Sequence, residues 1–152
     1  MPNTKAIARG AAAGVVATTV MSAILEIGQR PTSFWRQPPI LIIGTVLAGD
    51  PAHEVAAEDA LAVMAHLGYG TSCGALFALL TRPRRTPGPA TGIGYALLLW
   101  LVSYAGWIPA AGVMPPPRRD SPGRQITLVG AHVVYGAVLA AVLRRLRGRA
   151  RT

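Results

Sequence analysis

The apolar residues of this chain are not spread evenly but gathered into long runs separated by short polar stretches. Four of the runs, at residues 8–28, 59–81, 89–110 and 125–145, are each close to the ~20 residues that a helix needs to cross a bilayer. The pattern therefore predicts four membrane-spanning helices and no strands. A fifth apolar stretch, ILIIGTVLAG at residues 40–49, is too short to span. Within the outer loop 29–58 it reads as an interfacial helix or a short re-entrant turn. Asp50-Pro51 and Ser121-Pro122 place a capping side chain before a proline, the usual opening of a helix.

The runs are related in pairs. Residues 10–28 align without gaps on residues 88–106: Gly10, Gly14, Gly28 and Pro31 match Gly88, Gly92, Gly106 and Pro109. The second and fourth runs share Ala-His-x-x-Tyr-Gly, at Ala65–Gly70 and Ala131–Gly136, sixty-six positions apart. The expected architecture is an all-α integral membrane protein, a single membrane domain over residues 1–152, made of two tandem helical hairpins. Unit one covers residues 8–81 and unit two residues 88–145. A unit with two spans returns the chain to the side it left, so the repeat is a parallel one. The first run follows Lys5 and Arg9 and could pass for a signal peptide, but its counterpart inside the chain argues for a retained span.

Charge sets the expected orientation. The amino end, the loop after the second span and the tail from Arg144 carry ten basic residues and no acid, whereas all six acids fall on the opposite side. Positive loops stay cytoplasmic, so both termini are expected there, in a bacterial plasma (inner) membrane protein of the multi-pass kind. Only 14% of residues are charged against 51% hydrophobic, well below the ~25% charged of soluble domains. The net charge of +9 lies beside the apolar runs, where topology and anionic lipid explain it, so nucleic acid is not an expected partner. The lipid bilayer is, along with a second copy or other membrane proteins. Trp35, Trp100, Tyr104 and Trp107 fall towards the outer interface.

Three ionisable side chains lie inside apolar runs: Glu26, His66 and His132. Counting helical rise places the histidines ~4–7 Å, and Glu26 ~12 Å, to the outer side of the span centres. Buried at such depth, polar groups face a bundle interior or a watery cavity. With Tyr69 and Tyr135, three residues after each His, they form a candidate intramembrane polar site. It could hold a haem or a divalent metal through the paired His, or conduct protons with Glu26. The packing reading, in which each His bonds a neighbouring helix, is preferred for either one alone. No cofactor is therefore expected. Cys73 reads as a small apolar helix residue. His53, Glu54 and Glu58, with Asp59, cluster before the second span as a weak candidate for a divalent cation, although acids also suit a helix N-terminus. Small residues four apart recur in every span: Gly10 and Gly14, Gly70 and Gly74, Gly88 and Gly92, Gly136 and Ala140. That spacing lets helix backbones touch. The sequence carries no phosphate loop, dinucleotide fingerprint or Ser/His/Asp arrangement, so an enzyme is not expected.

Gln37-Pro38-Pro39 before an apolar stretch, the two His-x-x-Tyr-Gly helices, Gly106-Trp107-Ile108-Pro109 and Met114-Pro115-Pro116 together resemble the YagU-like proteins and their shorter actinobacterial-type relatives. That resemblance implies a small four-span inner-membrane protein of unassigned molecular function, and it implies no catalytic residues. The functional expectation is a non-enzymatic scaffold or accessory subunit. The alternatives are a haem- or metal-binding protein using the His pair, and a small transporter or proton-conducting bundle.

Overall fold

The structure is a computed structural model and describes residues 2–29, 38–48, 58–81 and 87–148. The described residues are helical apart from short connections, with no strand among them. Helix α1 is Pro2–Gln29, α2 is Pro38–Ala48 and α3 is Glu58–Leu80. Helix α4, Pro89–Val102, runs through a π-helical turn at Ser103–Trp107 into the short α5, Ile108–Ala110; after a 3-10 turn at Pro117–Arg119, α6 occupies Pro122–Gly148. Four segments are long and apolar enough to cross a membrane: Thr4–Ile27, Ala60–Leu80, Pro89–Ala110 and Pro122–Gly148. They coincide with the four predicted spans. The first and last helices run past the apolar residues into polar ones at their ends. Helix α2 has 11 residues, or ~16 Å of rise, about half of what a bilayer core requires. It packs against α3.

Helix α1 packs against both α3 and α6, and α4 packs against α6. The order across the bundle is therefore α3, α1, α6, α4, with α1 and α6 as a central pair. Glycine backbones make the hairpin contacts. A Cβ built on Gly14 would lie 2.5 Å from the Gly70 carbonyl oxygen, and one on Gly74 would lie 2.7 Å from the Gly14 Cα. One on Gly136 would lie 2.6 Å from the Gly92 carbonyl carbon, and one on Gly92 would lie 2.8 Å from the Ala140 Cβ. Gly10 sits equally close to Gly74 and Ala78. Without side chains, helices approach until backbones touch, and dispersion rather than solvent exclusion holds them there. Gly88 departs from its expected packing role: it is the extended N-cap of α4 (φ −73°, ψ 165°), and a Cβ there would meet nothing within 4 Å.

Hydroxyl groups within the spans are satisfied locally. Thr18, fully buried, donates to the Gly14 carbonyl at 2.8 Å, and Thr71 and Ser72 do the same to carbonyls four residues back. Between helices, the Tyr135 hydroxyl donates to Gly70 O at 3.0 Å and the Tyr95 hydroxyl to Cys73 O at 2.8 Å. At one end of the bundle the Arg147 guanidinium donates to Ala78 O at 2.8 Å and Thr81 O at 2.9 Å, filling the open carbonyls at the C-terminus of α3. The C-terminal ends of α3 and α6 therefore lie together.

The π-helical turn follows from Pro109. A proline inside a helix has no N–H to give and its ring collides with the carbonyl four residues earlier, and a widened turn relieves both problems. The Ile108 N–H accordingly bonds Ser103 O, five residues back. Gly112, at φ 73°, then ends α5: Val113 N donates to Ile108 O at 3.2 Å and Gly112 N to Pro109 O at 3.1 Å, a Schellman ending that buries Val113 against the core.

Candidate functional site

Helices α3 and α4 are not among the pairs in close backbone packing. Aromatic side chains bridge them instead. Phe77 and Tyr95 lie with ring centroids 5.0 Å apart, and the Tyr69 hydroxyl is 3.4 Å from Ser103 Oγ. On the side of these bridges away from the Arg147 end lies a cavity of about 310 Å³. Its walls come from α1, α3, α4 and α6, and Pro39 and Ile42 of α2 close part of it. Trp100 and Tyr104, stacked at 5.4 Å and 24°, form a flat aromatic wall. Trp100, Tyr104 and Trp107, spaced four and three residues apart on one helical face, all line the same space. A smaller cavity of about 40 Å³ shares His66, Tyr69, Ser103 and His132 with it and also touches Tyr135.

His66 and His132 both line the larger cavity, so the structure brings the duplicated pair to one place. Their bonds differ. His66 Nδ1 is 3.3 Å from Ser22 Oγ, a link from α3 to α1. His132 Nδ1 lies 2.8 Å from the Leu128 carbonyl of its own helix. A carbonyl only accepts, so this nitrogen carries the proton and Nε2 is left as an acceptor. Tyr69 is half exposed and lines both cavities, whereas Tyr135 is buried and committed to Gly70 O. Glu26 is not brought in: it is exposed and not part of either cavity wall. At the position of α4 matching Glu26 stands Tyr104, which is buried and donates to Asp120 Oδ2 at 2.7 Å; Asp120 in turn pairs with Arg124 at 3.4 Å.

The loop cluster of His53 and Glu54 lies outside the described residues, as do Trp35, Asp50 and the side chains of Glu58 and Asp59. Among the described residues, no three His, Cys, Asp or Glu side chains gather where they could hold a metal ion. Cys73 is buried and free. Ser121 opens α6 as expected, its Oγ accepting from Arg124 N at 3.3 Å.

Reading motifs missed three contributors. Ser22, the partner of His66, is a small residue that carries no motif of its own. Trp100 was legible only as an interface anchor, yet its indole N–H is buried with no partner among the described residues. Tyr95 gave one usable signal: it stands seventy-eight positions after Ala17, a tyrosine where the other copy has an alanine.

The arrangement is that of an α-helical bundle with four membrane-length apolar helices and a polar-edged cavity walled by all four. The chain belongs to the DUF6789 family, a family of unknown function, whose model matches residues 4–152. No curated protein and no solved structure matches it.

Proposed function

We propose that this is a multi-pass protein of the bacterial plasma membrane, built of two tandem hairpins with both termini cytoplasmic, and that it works as a non-enzymatic scaffold or accessory subunit. The observation that carries this reading is the use made of polar groups inside the spans. Ser22 with His66, Tyr95 with Cys73 O, Tyr135 with Gly70 O, and Arg147 with the end of α3 all join one helix to another. Such groups tie the helices together, and among the described residues no acid lines the cavity. Two contacts support the tandem repeat. Gly14 against Gly70 and Gly92 against Gly136 occupy matching positions of the two units, with Gly74 and Ala140 one turn on in each. The basic clusters support the orientation. The motifs that resemble those of YagU-like proteins fit the same setting.

Alkaline phosphatase fused after Arg85 or at Thr152 should be inactive, and fused after Arg118 active; activity at Arg85 overturns the orientation. For the scaffold, cysteines placed at the exposed Leu98 and Leu101 of α4 should cross-link in native membranes to a membrane protein. A chain that yields no adduct from either face position counts against that role.

A second reading, in which the His pair binds haem or a divalent metal, is favoured by the two histidines lining one cavity. Protein purified from its native membrane would then show a Soret band or stoichiometric metal that His132→Ala removes. A colourless, metal-free protein rules this reading out.

A further inference from the structure

The two halves of the bundle are not packed alike. If the tandem repeat maps α1 on α4 and α3 on α6, the contact of α1 with α6 should have a mate in α3 with α4. The first pair is closely packed and the second is not. Residue identities at matching positions account for the difference. Ala17 is fully buried in the core, whereas Tyr95, its counterpart in α4, stands against Phe77 and the Cys73 carbonyl and holds α3 away. Ser22 fits beside His66, whereas its counterpart is the much larger Trp100. The cavity is the space this wedge keeps open.

We propose that this cavity is a binding site for a membrane-soluble phenolic ring of the quinol class. The proposal rests on the membrane reading above but not on the scaffold role. Among the described residues its walls contain no Asp, Glu, Lys or Arg, which favours a neutral group over phospholipid phosphate or fatty-acid carboxylate. The stacked pair of Trp100 and Tyr104 offers a flat face to a ring. Two side chains of the wall carry polar atoms of opposite kind: the Trp100 N–H is a buried donor with no partner among the described residues, and His132 Nε2 is an acceptor because Nδ1 is already bonded to Leu128 O. A ring hydroxyl accepts and donates at once, so it satisfies either group. A ring with hydroxyls at opposite edges can meet walls contributed by different helices. The volume of about 310 Å³ is at the lower end of ligand pockets, ~300–1,000 Å³, which suits one ring with its hydrocarbon tail outside. Between α3 and α4 that tail would lie along exposed apolar residues such as Met64 and Leu101.

The test uses the full chain in dodecylmaltoside micelles with decylubiquinol, kept reduced under argon, retention being measured against empty micelles. Saturable, one-to-one retention is expected. Decylbenzene, which keeps the ring and tail but lacks oxygens, should bind at least about tenfold more weakly, as should decylubiquinol to Trp100→Phe, each losing a buried hydrogen bond. Ile126→Ala, an exposed position away from the cavity, should bind as the unaltered chain does. Equal retention of decylbenzene and decylubiquinol by the unaltered chain overturns the proposal whether or not Trp100→Phe folds. So does the absence of saturable retention by monodisperse, helical protein. Failure of the membrane reading would show separately, as a chain that does not remain with the membrane fraction.

Discussion

Replacing Gly136 by alanine adds one methyl group at the point where α4 and α6 touch. A Cβ at Gly136 would stand 2.6 Å from the Gly92 carbonyl carbon and 2.7 Å from the Ile93 Cα, all backbone atoms that cannot rotate away. Ordinary contact begins near 3.4 Å, so the helices must separate by close to 0.8 Å or tilt to the same effect. A gap of 0.5–1 Å forfeits roughly a quarter to a half of each dispersion contact at the crossing, worth ~0.1–0.2 kcal/mol apiece. Over the atoms of one glycine crossing this comes to about 1–3 kcal/mol, the usual cost of overpacking. Gly130→Ala, on the same helix, is the internal control. A Cβ there meets nothing within 4 Å, so only helix propensity changes, in favour of alanine by roughly 0.5–1 kcal/mol. The assay is reversible unfolding in mixed micelles, titrating dodecyl sulfate against dodecylmaltoside and following helicity. The two alanine variants should move the midpoint in opposite directions. If Gly136→Ala is as stable as Gly130→Ala, backbone contact at this crossing does not hold α4 to α6, and the reasoning fails.

Three other outcomes follow from the same bonds. Tyr135→Phe keeps the ring but removes the donor to Gly70 O, and should cost about 0.6–1.7 kcal/mol in the same titration. Arg147→Ala releases the carbonyls of Ala78 and Thr81 and should cost about 1 kcal/mol; amide exchange near the C-terminus of α3 should rise while exchange near Gly70 stays unchanged. Pro109→Ala restores an N–H and removes the ring clash, so the π-helical turn should relax towards α geometry; a changed fluorescence contribution from Trp107 relative to Trp100, resolved by single Trp→Phe variants, would report the rotation. An unchanged spectrum would show that the widened turn does not depend on the proline.

What could be read without coordinates was whatever depends on one helix at a time. Runs of apolar residues located the four spans, since length against bilayer thickness is a property of a single segment. The glycine rows were also legible, because the choice of Gly14, Gly70, Gly92 and Gly136 marks close approach whatever the partner. Which rows meet was not, and Gly88 shows the limit: its spacing from Gly92 fits the pattern, but it falls at the N-cap, before any neighbour is reached. The candidate site was half legible. His66 and His132 announce themselves by being ionisable in an apolar run. Trp100 does not, since indole is common at membrane interfaces and only its buried, unpartnered N–H sets it apart. Glu26, exposed and outside both cavity walls, stands apart for a related reason: position along a helix fixes depth, but the direction in which a side chain points depends on which face the neighbours occupy.

The wedge set by Tyr95 has a consequence for motion. Helix α4 is the least buried of the four long helices, close-packed against α6 and otherwise held to α3 by two tyrosine hydroxyls and a ring contact. Two glycine backbones in contact have no side chains to interlock, so Gly92 on Gly136 acts as a pivot. A few degrees of swing about that point carries Trp100, Tyr104 and Trp107 together, because they lie on one side of it along the same helix. The width of the aromatic wall's cleft is thus a soft coordinate of the described bundle, and α1 with α6 is the frame against which it is measured.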